Sequence, residues 1–121
     1  MKFLAIFIGG GIGSVIRYQL GDVLINRLAF SSSLVTGTVN ILGSFLLGGL
    51  LAYFARQQDS SSIVALMLTV GFCGGFTTFS TFSYDALTFL KSGIYLQFAL
   101  YTFGSLVLSF FMFFVGWRVF N

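Results

Sequence analysis

Where the charges fall constrains this chain more than anything else in it. Its six Lys and Arg and three Asp leave three long intervals empty. These are 28–55 between Arg27 and Arg56, 60–84 between Asp59 and Asp85, and 92–117 between Lys91 and Arg118. A helix needs roughly 20 apolar residues to cross a bilayer, so each interval holds one span. A fourth candidate opens the chain, from Phe3 to about Leu20, with Arg17 near its end. Composition agrees: 7% of residues are charged and 57% hydrophobic, whereas soluble domains carry about 25% charged residues. The sequence predicts an all-α membrane protein of four helices, at about 3–20, 34–54, 63–90 and 94–119, in one domain covering 1–121.

Lys2 and the apolar run Phe3 to Ile8 resemble the start of a signal peptide. No small-x-small cleavage site follows and three further spans do, so the segment is read as the first span. The single cysteine, Cys73, allows no intramolecular disulfide. There is no His and no Glu, and no acidic residue falls inside a charge-free interval. Proton relays and carboxylate sites for cationic drugs are therefore unfavoured. The Ser, Thr and Cys nucleophiles have no general base near them, which makes an enzyme a poor reading.

The second of these intervals, 60–84, holds the run Gly71-Phe72-Cys73-Gly74-Gly75-Phe76-Thr77-Thr78-Phe79-Ser80-Thr81-Phe82-Ser83. Three glycines in five positions precede five hydroxyl side chains, in a chain without proline. Backbone and hydroxyl groups at bilayer depth must find partners or face a water-filled cavity. The glycines predict a helix broken near 74–78, of the kind whose freed carbonyls and N–H groups serve as ion sites. A kinked helix with hydroxyls bonded back to the i−4 carbonyl is the plainer reading, and the length of the polar run favours the ion site.

Phe79 and Phe82 stand one turn apart among Thr78, Ser80 and Thr81. An aromatic ring has a positive edge, and such edges solvate a small anion without trapping it, as conduction requires. Asn40 is the only amide between residues 27 and 56; its N–H₂ either serves an anion or bridges helices. Tyr101, Ser105 and Ser109 recur at i, i+4 and i+8 and form one donor stripe on helix four. Arg17 either snorkels to the interface or lines an anion-attracting vestibule. Gly9 and Gly13 read as a packing face. Tyr18, Tyr53, Tyr84, Tyr95 and Trp117 fall near span ends, where an aromatic belt belongs.

With four spans, Lys2, Arg56 and Arg118 share one side of the membrane and Arg17, Arg27 and Lys91 the other. Orientation normally follows a Lys/Arg excess, and this balance fits a chain that inserts both ways and pairs antiparallel with itself. Four short helices enclose little volume, so a pathway calls for a second subunit.

Over nearly its full length the chain resembles the small dual-topology fluoride channels of the Fluc or CrcB family. The resemblance rests on Gly9-Gly10-Gly11-Ile12-Gly13-Ser14-Val15-Ile16-Arg17-Tyr18, on Gly37-Thr38-Val39-Asn40-Ile41-Leu42-Gly43-Ser44-Phe45, and on the glycine–hydroxyl run at 71–83. It implies a fluoride-selective channel in the cell membrane that lets cytoplasmic fluoride leave passively. It further implies an antiparallel homodimer with two pores and a structural Na⁺ on the two-fold axis, held by the main-chain carbonyls of Gly74 and Thr77. Phe79 and Phe82 would offer their ring edges to fluoride, with Asn40 as a donor. Tyr101, Ser105 and Ser109 would form the polar track, and Arg17 matches the family's helix-one arginine. Ser14 stands where the family often has alanine, and Phe76 where a smaller aliphatic is common. Two other classes compete: a small multidrug exporter, which would call for an intramembrane glutamate, and a structural subunit of a larger complex, which would not conduct alone.

Overall fold

A computed structural model describes residues 1–121. All regular structure is helical: α1 (Lys2–Leu28), α2 (Ser32–Arg56), α3 (Ile63–Leu66), a π-helical segment (Met67–Cys73), α4 (Gly74–Phe76), α5 (Phe79–Lys91) and α6 (Tyr95–Phe120). The segments from Ile63 to Lys91 follow one another as a single span, so four helical units are long and apolar enough to cross a membrane.

The turns have local causes. Ser31 Oγ accepts from Leu34 N–H at 3.3 Å and Ser62 Oγ from Ala65 N–H at 3.1 Å, so a serine caps the start of the second and third spans. Ala29 ends α1 in the left-handed region at φ +54°, and Gly93 turns the chain into α6 at φ +72°. The sequence places the end of helix one near Leu20, but α1 continues to Leu28. Asn26 Nδ2 donates to Asp22 Oδ1 at 2.8 Å, an i,i+4 bond that stabilises the extra turns. Arg17 therefore lies well inside α1, not at its end.

Glycine organises the packing. On α1, Gly9 faces the Met67 carbonyl and Gly13 the Phe72 carbonyl. From the other side, Gly71 faces the Ile6 carbonyl and Gly75 the Gly10 carbonyl, each where a Cβ would otherwise stand. Across the bundle, Gly48 of α2 faces the Phe113 carbonyl and Gly116 of α6 the Phe45 carbonyl. Such approaches bring backbones close enough for dispersion and Cα–H···O contacts. Matched residues advance together along both partners, Gly9 with Met67 and then Gly13 with Phe72, Gly37 with Ser105 and then Gly49 with Phe120, so α1 runs parallel to the third span and α2 parallel to α6. The two pairs run opposite to each other.

This corrects the expected use of the glycines. Gly74 keeps helical angles (φ −64°, ψ −38°), and Gly71 and Gly75 are spent on the contact with α1. The break itself lies within the expected 74–78, at Thr77 (ψ 161°) and Thr78 (φ −151°, ψ 116°), and the span bends there by 21°.

Only 21 of the 121 residues are buried, so the outer apolar surface of one chain must be met by lipid or by another protein. Tyr18, Tyr53, Tyr84 and Tyr95 are among the exposed residues.

Candidate functional site

The interruption at Thr77 and Thr78 faces α2, and Gly43 makes room for it. A Cβ on Gly43 would strike Thr77 Cγ2 and come within 3.2 Å of the Phe76 ring. The bulky Phe76 is thus accommodated, buried and stacked on Phe72 with centroids 5.8 Å apart.

Asn40 holds the open turn. Its Oδ1 accepts from Thr78 N–H at 2.8 Å, and its Nδ2 donates to the Thr78 carbonyl at 3.0 Å. In an unbroken α-helix the Thr78 N–H would go to the Gly74 carbonyl. One turn later, Thr81 N–H is taken by Thr78 Oγ1 at 3.3 Å, where an unbroken helix would give it to the Thr77 carbonyl. The same Thr78 hydroxyl donates to Thr81 Oγ1 at 3.1 Å and caps α5. The carbonyls of Gly74 and Thr77 thereby lose their ordinary helical donors to side chains; those of Gly75 and Phe76 lose theirs to the break itself, and Ser14 Oγ donates to the Gly75 carbonyl at 3.4 Å.

A crevice of about 250 Å³ lies beside this turn. It brings together Asn40 and Ser44 of α2, Thr77, Thr78, Phe79 and Phe82 of the third span, and Ser105 and Ser109 of α6. No charged side chain lines it. Asn40 gives one of its two amide hydrogens to Thr78, which leaves the other as a donor. Phe82 is buried at 7% exposure while Phe79 is 74% exposed, with ring centroids 5.6 Å apart and planes at 35°. Phe82 also meets Tyr101, at 5.2 Å. Tyr101 lines an adjoining groove of about 620 Å³ between α2 and α6, and Ser105 lines both spaces. The stripe Tyr101–Ser105–Ser109 thus follows one continuous wall.

Three sequence-selected residues fall elsewhere. Arg17 and Thr81 line a separate crevice of about 320 Å³ with Ser14, Thr36 and Thr78. Ser80 is exposed, its hydroxyl 3.2 Å from Thr78 Oγ1. Thr78 is the one residue shared by the two crevices.

Sequence reasoning missed Asp85. It served there only to mark the end of a charge-free interval, yet it is buried at 7% exposure and accepts the Tyr101 O–H on Oδ2 at 3.2 Å. Its signal was its place three residues after Phe82, which sets it on the same helical face. The bond commits the Tyr101 proton to Asp85, so Ser105 and Ser109 hold the hydroxyl protons that remain uncommitted on this stripe. Tyr101→Phe removes a donor from a buried carboxylate but keeps the ring contacts with Phe82 and Phe89. It is expected to lower stability by about 1–3 kcal/mol, read as a fall in Tm of the detergent-solubilised protein.

Comparison with known proteins gives concordant matches. The family profile described as CrcB-like protein, Camphor Resistance (CrcB), matches residues 4–117. The chain is 42% identical over 116 residues to a fluoride-specific ion channel FluC of Gloeothece citriformis, covering 96% of this chain and 94% of that one. It is 46% identical over 108 residues to the protein of that name in Phocaeicola vulgatus (89% and 88% covered). With the one in Thermus thermophilus it shares 41% over 118 residues (98% and 94% covered).

Proposed function

Because the chain belongs to the CrcB-like family, a class of ion channels and not of enzymes, we propose that it is a fluoride channel of the cell membrane. Fluoride that enters as neutral HF and ionises in the cytoplasm leaves through it down its electrochemical gradient, which lowers fluoride toxicity. The observation that carries this reading is the uncharged crevice in which an amide hydrogen, a buried phenyl ring and two serine hydroxyls meet. These groups offer an anion several weak donors and no fixed charge, so an ion can enter and still leave. Arg17, in the crevice that meets this one at Thr78, raises the local anion concentration beside the pathway.

The working unit is an antiparallel homodimer with two pathways. Phe79 is mostly exposed, so one wall of the crevice in a single chain is incomplete, and a second copy would close it. Gly74 is exposed, with no atom within 4 Å of where its Cβ would stand, which leaves a flat place for a partner backbone. Outside the body of α1 the Lys and Arg stay nearly balanced, Lys2, Arg56 and Arg118 against Arg27 and Lys91, which supports insertion in both orientations.

A structural Na⁺ belongs at the two-fold axis. The donor set fits it: the Gly74 and Thr77 carbonyls are the pair whose helical donors are diverted, and unwound carbonyls are suited to a hard monovalent cation. Bound there, the ion would supply charge compensation for inward-facing carbonyl dipoles and hold two broken helices together.

Purified protein in liposomes without any other chain tests the reading. A fluoride electrode should record loss of fluoride while chloride, assayed in parallel, is retained. Equal loss of both anions would sink selectivity, and silence from a folded dimer would sink the self-sufficient channel.

A further inference from the structure

The carbonyls of Gly74 and Thr77 are kept open by two particular side chains. Asn40 reaches from α2 and makes a closed pair of hydrogen bonds with the Thr78 peptide units, at 2.8 and 3.0 Å. This fixes Thr78 in its extended conformation and withholds its N–H from the Gly74 carbonyl. The Thr78 hydroxyl then intercepts Thr81 N–H at 3.3 Å and withholds it from the Thr77 carbonyl. We propose that Asn40 and Thr78 are positioning residues for the cation, which together keep both carbonyls from closing back into a continuous helix. The proposal rests on the reading of those carbonyls as a Na⁺ site.

The physical reason is competition. A backbone N–H at bilayer depth must find an acceptor, and without its side-chain partner it turns to the nearest carbonyl, four residues back. A carbonyl engaged in that bond points along the helix and shares its electron density with the donor. Without Asn40, the freed Thr78 N–H falls to Gly74; without the Thr78 hydroxyl, the freed Thr81 N–H falls to Thr77. Each loss closes one of the two carbonyls. Asn40 also lines the anion crevice, so one amide serves both the pathway and the cation.

The measurement is thermal unfolding of the purified full-length protein at increasing NaCl, with choline replacing sodium at constant ionic strength. A ligand that binds only the folded state raises Tm with its concentration. Asn40→Leu and the near-isosteric Thr78→Val should each require about tenfold more sodium for the same stabilisation, the equivalent of one lost hydrogen bond. Thr88→Val removes a hydroxyl on the same helix that bonds only the Tyr84 carbonyl, and it should leave the sodium dependence unchanged. Should Asn40→Leu fail to fold at any sodium concentration, Thr78→Val decides alone. Folded variants with the unsubstituted protein's sodium dependence would overturn the positioning role and leave the cation site standing. An equal shift in Thr88→Val would overturn it too, because the effect would then be general loosening of the helix. No sodium dependence in the unsubstituted protein would remove the cation site itself.

Discussion

Replacing Phe82 with isoleucine is expected to cut fluoride efflux from liposomes by about tenfold or more, with the protein still folded. The ring is held on two sides, by Phe79 at 5.6 Å and by Tyr101 at 5.2 Å. At 7% exposure it has no freedom to turn away. Phe82 lines the crevice beside Asn40, Ser105 and Ser109, where a ring edge would offer an anion a fixed positive rim. Isoleucine fills much of the same volume but carries no quadrupole. A barrier raised by about 1.4 kcal/mol at the highest point of a pathway is about a factor of ten in rate. The control is the elution volume and Tm of the variant, because an apolar swap in a packed site shifts stability by less than about 1.5 kcal/mol when volume is kept. Undiminished efflux from folded Phe82→Ile would move the pathway away from this crevice. Phe79→Ile separates the two rings: at 74% exposure the loss of Phe79 leaves protomer stability nearly unchanged, and any loss of efflux would come from a surface that a second copy would cover.

The spans were legible because charge in a bilayer is expensive, and nine charged residues in 121 leave little choice of where helices lie. Periodicity sufficed for Ser105 and Ser109, which do share a wall, since a straight helix preserves spacing as direction. It failed where direction depends on a partner. The triplet Gly71, Gly74 and Gly75 looked like one device in sequence, but Gly71 and Gly75 face α1 while Gly74 faces outward. The break needed no glycine at its own position: Thr77 and Thr78 are extended because Asn40, 38 residues away in the chain, supplies the bonds that the helix gives up. Long-range compensation of that kind leaves no local mark. Asp85 was missed for a related reason. Its partner, the Tyr101 hydroxyl, lies 16 residues on and in another span, and a carboxylate near a span end reads as solvated until that partner is known.

The two adjacent glycines give a sharper test of the assembly than either hydroxyl cluster. A Cβ on Gly75 would overlap the Gly10 carbonyl and come within 3.0 Å of Gly10 Cα. Backbone cannot rotate aside as a side chain does, so α1 and the third span would have to separate along the Gly9–Gly13 and Gly71–Gly75 seam. Gly75→Ala is expected to destabilise the protein by about 1–3 kcal/mol or more, seen as a lower Tm and aggregated material on size exclusion. Gly74→Ala should behave in the opposite way within one chain. No atom lies within 4 Å of the added methyl, the backbone is already helical (φ −64°, ψ −38°), and alanine gains about 1 kcal/mol over glycine in a helix. If Gly74 meets its symmetric copy across the two-fold axis, however, that methyl stands where two backbones must approach. The expected result is a well-expressed Gly74→Ala protein that elutes as a monomer, shows no stabilisation by sodium and loses fluoride efflux. A Gly74→Ala protein that remains dimeric and conducts like the unsubstituted one would place the two-fold elsewhere and detach the open carbonyls from it.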